Sequence, residues 1–384
     1  MENYSEIYIL DTHQDSREIL KSYLESFDSE CNIKIFGDYE YAVEEIKKSE
    51  STPIVFIDIS EKDNIINSKI EDIKLITTKI VITSKDYSTN TIIKAMRLGA
   101  KEFLPKPIIK EDLQRTIALL FRHENNNESA SKIITIYSNK GGIGKTTIAT
   151  NLAMELAKTT RDKVALIDLN LQLGDISTFL NLSPTFDVAY MIKNLIEKKE
   201  EYILEAFEKY NNSSLYVLSD PHYIEQSEGI KPQEIEALFD KLKKVFPYII
   251  IDMSSNIDSN SLKILDKSDW ILFTTIVNIP AIRNTQRCLN LFHSRNYPKD
   301  KVKILINRYM ENEEINIEDI ESTIGEKIYW KIPNNYFSIM EAINKGLPVC
   351  EINSNSNIAN SFRDLASKIS DEIVEQTISK YRGL

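Results

Sequence analysis

A glycine-rich segment near the middle of the chain has the residue types needed to hold phosphate groups. Residues Ser138–Thr147 read Ser-Asn-Lys-Gly-Gly-Ile-Gly-Lys-Thr-Thr and lie between an apolar run and a segment of helical periodicity. Glycines let backbone N–H groups curl around phosphate oxygens, and the start of a helix adds partial positive charge. We expect Lys145 to reach the β- and γ-phosphates of a nucleotide and the Thr146 hydroxyl to ligate Mg²⁺. The alternative is a glycine-rich turn that binds nothing, which Gly-Lys-Thr at a strand-to-helix junction disfavours.

The loop departs from the strict Walker A pattern, because Asn139 stands where glycine is required and Lys140 precedes the glycine pair. The sequence Lys-Gly-Gly-Ile-Gly-Lys-Thr-Thr resembles the deviant Walker A motif of the ParA/MinD family. That resemblance implies a homodimer in which two subunits sandwich two ATP molecules with Mg²⁺, and in which Lys140 reaches the partner's phosphates. The ATP contacts implied in this loop are Lys140, Gly141, Gly142, Ile143, Gly144, Lys145, Thr146 and Thr147.

The same resemblance continues in family order along the chain. Val164–Asp175 is similar to the switch I strand, and Tyr248–Asp252 is similar to Walker B. Asp168 and Asp252 would then be carboxylates at Mg²⁺, the latter through water. An aspartate at the end of a strand is often only a helix cap or a turn residue. The assignment of these two aspartates to Mg²⁺ therefore depends on the segments occurring in the family's order. Two later segments resemble the adenine-contacting parts of the family, and they supply Asn307, Arg308, Pro333, Asn334 and Asn335.

One position departs from the family pattern in a way that affects turnover. The family usually has Asp-x-Asp in switch I, where the second Asp orients the attacking water, but this chain has Asp168 and Asn170. An amide can accept a hydrogen bond from water but cannot take its proton. We expect tight ATP binding with slow hydrolysis, and we assign the reaction to Lys140, Lys145, Asp168 and Asn170. The alternatives are that Asp168 or Asp175 substitutes, or that turnover is normal.

A second set of polar residues lies in the N-terminal part of the chain. Asp58 and Thr83 end the third and fourth apolar runs, and Lys106 follows the fifth. A carboxylate nucleophile needs Mg²⁺ and a cation to offset phosphoryl charge. With Asp11, these residues resemble the site of response-regulator receivers, but Thr12 replaces the second metal-binding acid. We expect weak Mg²⁺ binding and favour a docking or dimerisation module over a phosphorylation switch.

Apolar runs alternate with helical patterns on both sides of a polar segment, residues 123–131, which we interpret as a linker. We predict an α/β protein with two doubly wound parallel-sheet domains, a flavodoxin-like receiver at 1–122 and a P-loop NTPase at 132–384. The expected strands are Ile7–Leu10, Ile33–Phe36, Ile54–Ile57, Lys79–Thr83, Glu102–Leu104, Ile133–Tyr137, Val164–Ile167, Leu215–Leu218, Tyr248–Ile251, Ile271–Thr274 and Val302–Leu305. The expected helices include Ser16–Phe27, Tyr39–Lys48, a weak stretch near Ile65–Ile76, Thr89–Leu98, Lys110–Arg122, Thr146–Lys158 and Pro232–Lys244.

Composition limits the classes of partner. The net charge of −11 gives no general attraction to nucleic acid, so we expect none as a partner. The cysteines lack metal spacing, the first residues lack the apolar core of a signal peptide, and the apolar runs are too short to cross a bilayer. We interpret the cysteines as reduced thiols of a cytoplasmic protein. The last helical segment has similar numbers of acids and bases, so we expect no direct membrane insertion. No metal role is expected for the scattered histidines His13, His123, His222 and His293.

A further resemblance concerns the subfamily. Asn278–Phe292 resembles the Leu-Pro-Ala-Leu-Arg-Asn-Ala-x-Arg segment of CpaE/TadZ proteins, and Leu171–Ile176 resembles their switch I. Those proteins act in the assembly of Tad/Flp-type pili and place a receiver-like domain before the ATPase, as this chain does. The resemblance implies pilus or secretion-machine partners and placement at a cell pole or focal site. A DNA-segregation ATPase, a phospho-signalling regulator and an ATP-holding scaffold without turnover are the alternatives.

Overall fold

The computed structural model describes residues 6–27, 32–49, 52–60, 70–122, 131–195, 198–311 and 315–382. The chain divides into two compact units, Met1–Asn125 with Asp371–Leu384, and Asn126–Ser370. Apart from residue 131, the expected linker lies outside the described residues. Among the described residues, no helix is both long enough and apolar enough to cross a membrane.

The first unit is built on a five-stranded parallel sheet with strand order β2-β1-β3-β4-β5. Residues on alternate sides of β1 enter different cores: Ile7 and Ile9 pack on one face, and Tyr8 and Leu10 on the other. Helices therefore cover both faces, as a parallel sheet requires. The strands are β1 (Glu6–Leu10), β2 (Asn32–Phe36), β3 (Ile54–Asp58), β4 (Ile80–Ser84) and β5 (Glu102–Pro105). The helices are Gln14–Phe27, Tyr39–Ile46, Thr89–Arg97 and Lys110–Arg122, with a further helical stretch at 70–74.

The second unit has an eight-stranded sheet with strand order β13-β12-β11-β6-β10-β7-β9-β8. Neighbouring strands are parallel except β8 and β9, which pair antiparallel. The strands are β6 (Lys132–Tyr137), β7 (Val164–Leu169), β8 (Glu208–Lys209), β9 (Leu215–Leu218), β10 (Tyr248–Met253), β11 (Trp270–Thr275), β12 (Val302–Tyr309) and β13 (Ile328–Pro333).

Helices separate most of these strands along the chain. The α-helices are Lys145–Thr160, Ile176–Phe179, Val188–Tyr190, Glu200–Glu205, Pro232–Leu242, Ser259–Lys267, Ile279–Ser294, Ile317–Ile324, Tyr336–Lys345, Val349–Ile352 and Asn357–Arg382. Short turns of other helix types lie at Met191–Leu195, Ile224–Ser227 and Lys299–Lys301.

The predicted α/β class with two mostly parallel sheets is confirmed. Every residue of β6, β7, β10 and β11 is buried, which explains their continuous apolar runs in the sequence. Two strands were not predicted: β8 has only two residues, and β13 lies at the sheet edge with mostly half-buried side chains. The expected helix near Ile65–Ile76 lies partly outside the described residues, since 61–69 are not described.

Candidate functional site

The glycine-rich loop connects β6 to the helix Lys145–Thr160, which we call the P-loop helix. Gly142 and Gly144 have φ angles of 74° and 95°, in the left-handed region that favours glycine. A Cβ at Gly144 would also lie 2.5 Å from the Asn307 amide nitrogen. Apart from the glycine itself and its two chain neighbours, no heavy atom of the described residues lies within 4 Å of a Cβ placed at Gly141 or Gly142, so the loop is open at these positions. The loop therefore has the shape and the free space of a phosphate cradle.

Two carboxylates lie side by side next to this loop. Asp252 on β10 pairs in register with Asp168 on β7, and both side chains are buried. The Thr146 hydroxyl donates to Asp252 Oδ2 at 2.5 Å, while the buried Asp252 Oδ1 has no hydrogen-bond partner among the described residues. A buried carboxylate oxygen without a partner is costly unless a ligand satisfies it. The hydroxyl and the two carboxylates therefore fit Mg²⁺, which prefers hard oxygen ligands.

Burial disfavours the ionised forms of these two acids. It raises the pKa of Asp252 to about 6, although the hydrogen bond from Thr146 opposes the change. Burial also raises the pKa of Asp168 well above its usual value, and the negative charges of Asp252 and Asp220 act in the same direction. A divalent cation would offset both effects, because it favours the ionised carboxylates.

Lys145 is held at the start of the P-loop helix by a residue that sequence analysis missed. Its ammonium group donates to the Ser255 hydroxyl at 2.7 Å, in the loop after β10. Burial lowers the Lys145 pKa, while the charge of Asp252 acts in the opposite direction. A neutral hydroxyl offsets little of that cost, so an anionic phosphate would be a better partner for Lys145.

The switch I loop after β7 is held in a closed turn. The Asn170 side-chain amide donates to the Leu173 carbonyl, and the Asn170 backbone N–H donates to Asp168 Oδ1 at 3.0 Å. A Cβ at Gly174 would collide with the carboxyl groups of both Asp168 and Asp220. The structure thus engages Asn170 in closing the turn. Asp220, which follows β9, was not identified from the sequence, and burial raises its pKa.

The two segments expected near adenine are placed differently relative to the loop. Asn307 donates to the Ile143 carbonyl at 2.7 Å, and Arg308, with a φ of 55°, donates to the Gly142 carbonyl at 2.9 Å. The end of β12 therefore contacts the phosphate loop directly. In the second segment, Pro333 pairs with Tyr309, the Asn334 N–H donates to the Tyr309 carbonyl, and Asn335 caps the helix Tyr336–Lys345. These residues adjoin the end of β12 through Tyr309.

Two more contacts fasten the loop and its helix to neighbouring elements. Asn139 donates to the Asn284 carbonyl at 3.3 Å, next to the half-buried Lys140. The buried Asn151 donates to the Thr147 carbonyl and accepts the Val349 backbone N–H, both at 2.8 Å. Asn151 was not identified from the sequence, because only the fold brings residue 349 beside this helix.

The receiver-like residues also converge, at the carboxyl ends of β1, β3 and β4. Lys106 contacts Asp11 Oδ2 at 2.6 Å and Asp58 Oδ1 at 2.8 Å, and all three side chains are buried. Thr83 lies 3.4 Å from Asp58 Oδ1. Burial alone would raise the Asp11 pKa, but the hydrogen bonds from Lys106 and from the His13 backbone lower it overall. The four residues proposed from the sequence therefore lie close together, in contact through Asp58 and Lys106.

Comparisons with known proteins agree with both units. Residues 7–118 match the response regulator receiver domain, and residues 131–303 match an AAA domain. The septum site-determining protein MinD of Thermotoga maritima is 31% identical over 245 residues, which cover 62% of this chain and 88% of that protein.

Solved structures show the same fold for the second unit. A ParA family ATPase from Chlorobium tepidum aligns with a TM-score of 0.59 at 24% identity, covering 62% of this chain and 99% of that one. MinD from Pyrococcus horikoshii, solved with Mg-ADP, aligns with a TM-score of 0.55 at 21% identity, covering 62% and 96%. Fold and site together define a nucleotide-binding P-loop ATPase that carries a receiver domain. The chain belongs to the ParA/MinD family.

Proposed function

We propose that this chain is an ATP- and Mg²⁺-binding, nucleotide-gated dimeric ATPase that acts in localisation and assembly, with slow hydrolysis. The observation that supports it most directly is the Thr146–Asp252 contact beside an open glycine loop, which leaves one buried carboxylate oxygen without a partner. ATP with Mg²⁺ would satisfy that oxygen and occupy the open loop.

The residues of this site have distinct roles in binding. Backbone N–H groups of the loop hold the phosphates, and Lys145 leaves Ser255 to pair with the β- and γ-phosphates. Thr146, Asp252 and Asp168 hold Mg²⁺, which when bound neutralises phosphate charge. At the end of β12, Asn307 and Arg308 hold the loop by donating hydrogen bonds to its carbonyl groups. The neighbouring segment, Pro333, Asn334 and Asn335, contacts the adenine base.

Slow turnover follows from the residues around the reacting phosphate. Lys140 and Lys145 stabilise negative charge on that phosphate. Asp168 holds the switch I loop in place by accepting hydrogen bonds from backbone N–H groups of the loop. Asn170 can orient a water molecule but cannot take its proton. Its side-chain amide also donates to the Leu173 carbonyl, so orienting water would compete with that hydrogen bond.

We propose the ATP sandwich as the main dimer surface, with Lys140 reaching the partner's nucleotide. Large exposed apolar side chains support this choice, because several follow the carboxyl ends of neighbouring strands on the nucleotide edge of the sheet. These residues are Leu173, Ile257, Ile279, Met310, Tyr336 and Phe337. The receiver domain is a second dimer surface or docking module in this proposal.

The particular role we propose resembles that of CpaE/TadZ proteins in Tad/Flp pilus biogenesis. The supporting observations are the order of the two domains and the exposed Arg283 and Arg287 on the helix Ile279–Ser294, which starts beside the phosphate loop. Partners are pilus or secretion-machine proteins that hold a cytoplasmic dimer at a cell pole or focal site. Neither nucleic acid nor the lipid bilayer is a partner.

The decisive experiment measures bound nucleotide and single-turnover ATP hydrolysis with Mg²⁺. We expect the purified wild type to retain ATP and turn it over slowly, and Lys145→Ala to lose it. Lys327→Ala is the matched control, since Lys327 is an exposed lysine paired with Glu321. Failure of wild type to bind ATP refutes the proposal. Salt-sensitive binding of nonspecific DNA by the ATP form would instead identify a ParA-type DNA-segregation ATPase.

A further inference from the structure

A lysine and a cysteine are in contact where the P-loop helix meets the short helix Val349–Ile352. The Lys158 ammonium group donates to Cys350 Sγ at 2.9 Å. Asn151 lies about two turns before Lys158 on the same face of the P-loop helix. It accepts the Val349 backbone N–H at 2.8 Å, which fixes the short helix against that face. The fold therefore holds the amine and the sulfur side by side.

A buried carboxylate lies next to this pair. The Glu155 side chain is only 4% exposed, and its Oε1 atom lies 3.8 Å from Lys158 Nζ. That oxygen has no hydrogen-bond partner among the described residues, while Arg363 Nε lies 3.8 Å from the other oxygen, Oε2. A buried acceptor without a donor is costly. Glu155 Oε1 is thus placed to accept a proton from the lysine.

We propose that Cys350 and Lys158 form an oxidative cross-linking site, at which hydrogen peroxide joins Sγ to Nζ as a sulfenamide. Peroxide first transfers one oxygen to Sγ as its O–O bond breaks, which gives a sulfenic acid and water. Nζ gives a proton to Glu155 and attacks Sγ, so that the S–N bond forms and the S–O bond breaks. The departing hydroxide takes a second proton from Nζ and leaves as water. The sulfur loses two electrons, and one peroxide becomes two waters.

Protonation controls the rate of this reaction. Burial raises the pKa of the Cys350 thiol to about 11, and the charge of Glu155 acts in the same direction while that of Lys158 opposes it. Burial alone would lower the Lys158 pKa, but its contact with Cys350 raises it overall. The charged and titratable groups around the pair are Glu155, Tyr210, Glu351 and Arg363. Since the thiolate and the neutral amine are the reactive forms, the cross-link should form faster at alkaline than at neutral pH.

The cross-link would tie two distant parts of the chain together. Lys158 and Cys350 are 192 positions apart in the sequence, so the bond closes a long loop and restricts the unfolded chain. The Lys158 side chain is 42% exposed, which gives peroxide access from solvent. Oxidation should therefore raise the denaturant concentration at which the second unit unfolds. The nucleotide site takes no part in this chemistry.

The test treats the full-length chain with hydrogen peroxide at mildly alkaline pH and maps its peptides by mass spectrometry without reductant. We expect a linked pair of peptides that contain Lys158 and Cys350, lighter than their sum by two hydrogen atoms. Trypsin should not cleave after the linked Lys158. A thiol reductant should separate the two peptides and return the unfolding midpoint to that of the untreated protein.

Matched variants decide whether this pair is the site. Lys158→Arg keeps the positive charge but has no amine that can lose its proton, so it should abolish the cross-link. Lys345→Arg is the control, since Lys345 is an exposed lysine paired with Glu341 at 2.7 Å, and it should cross-link like wild type. Glu155→Gln should slow the reaction at least about tenfold, as loss of a proton acceptor does. Wild-type cross-linking in Lys158→Arg or in Glu155→Gln, or wild-type Cys350 oxidised only to free sulfur acids or to a disulfide, would overturn the proposal.

Discussion

At the scale of single residues, the nucleotide site holds charged groups whose environment disfavours their charge. Burial lowers the Lys145 pKa and raises that of Asp252 to about 6, and the Asp168 pKa is raised as well. Bound phosphates would stabilise the lysine cation, and Mg²⁺ would stabilise the carboxylates. Ligand binding should therefore stabilise the folded protein strongly, since it removes these penalties as well as adding contacts.

The switch I amide gives a prediction at the same scale. Asn170→Asp introduces a group that can take a proton from water, so we expect a faster single-turnover rate of ATP hydrolysis. The same change removes the donor to the Leu173 carbonyl, which should cost about 1 kcal/mol of nucleotide-free stability. Rapid-quench kinetics and denaturant unfolding measure the two effects.

Asn170→Ala separates these effects, because it removes the same hydrogen bond without adding a carboxylate. It should lose similar stability and gain no rate. Equal rates for wild type and Asn170→Asp would show that position 170 does not limit turnover, and Asp168 or Asp175 would then be the residue to test.

At the residue scale, the sequence allowed site residues to be proposed where they are consecutive in the chain. The loop from Lys140 to Thr147 could be located because its pattern is continuous. Ser255, Asp220 and Asn151 could not, since each reaches the site from a different element and has an ordinary residue type.

At the scale of elements, the strands that could be predicted from the sequence are those that are buried on both faces. Strands β6, β7 and β10 are covered on both faces, so they appear as unbroken apolar runs. Strand β13 is at the sheet edge, where alternating and half-exposed residues weaken that signal. The order of strands was not predicted in detail, because it depends on contacts between distant parts of the chain.

One prediction at this scale concerns the hydrogen bond that joins the P-loop helix to the segment at Val349. Asn151 accepts the buried Val349 N–H, so Asn151→Ala leaves that donor unpaired and should cost about 1–3 kcal/mol of stability. Asn194→Ala is the matched control, since Asn194 makes the same amide-to-carbonyl bond four residues back but is exposed. It should change stability by less than about 0.5 kcal/mol. Denaturant unfolding measures both, and equal losses would contradict the role given to Asn151.

At the scale of the whole molecule, the acidic chain combines two α/β units that each gather polar residues at the carboxyl ends of parallel strands. This placement follows from topology, because loops at that edge bring together residues from several strands. The two sites differ in what surrounds them. Exposed apolar residues lie around the nucleotide edge of the second sheet, whereas the receiver-like carboxylates pair with a buried lysine.

The last prediction concerns the dimer. We expect wild type to be monomeric without nucleotide and dimeric with ATP and Mg²⁺, as measured by light scattering after size exclusion. Phe337 is 84% exposed on the nucleotide edge, so Phe337→Glu should weaken the ATP dimer at least about tenfold through a buried unpaired charge. Leu75→Glu is the control, because Leu75 is 88% exposed in the first unit. Loss of the dimer in Leu75→Glu but not in Phe337→Glu would move the interface to the receiver domain and refute the ATP sandwich.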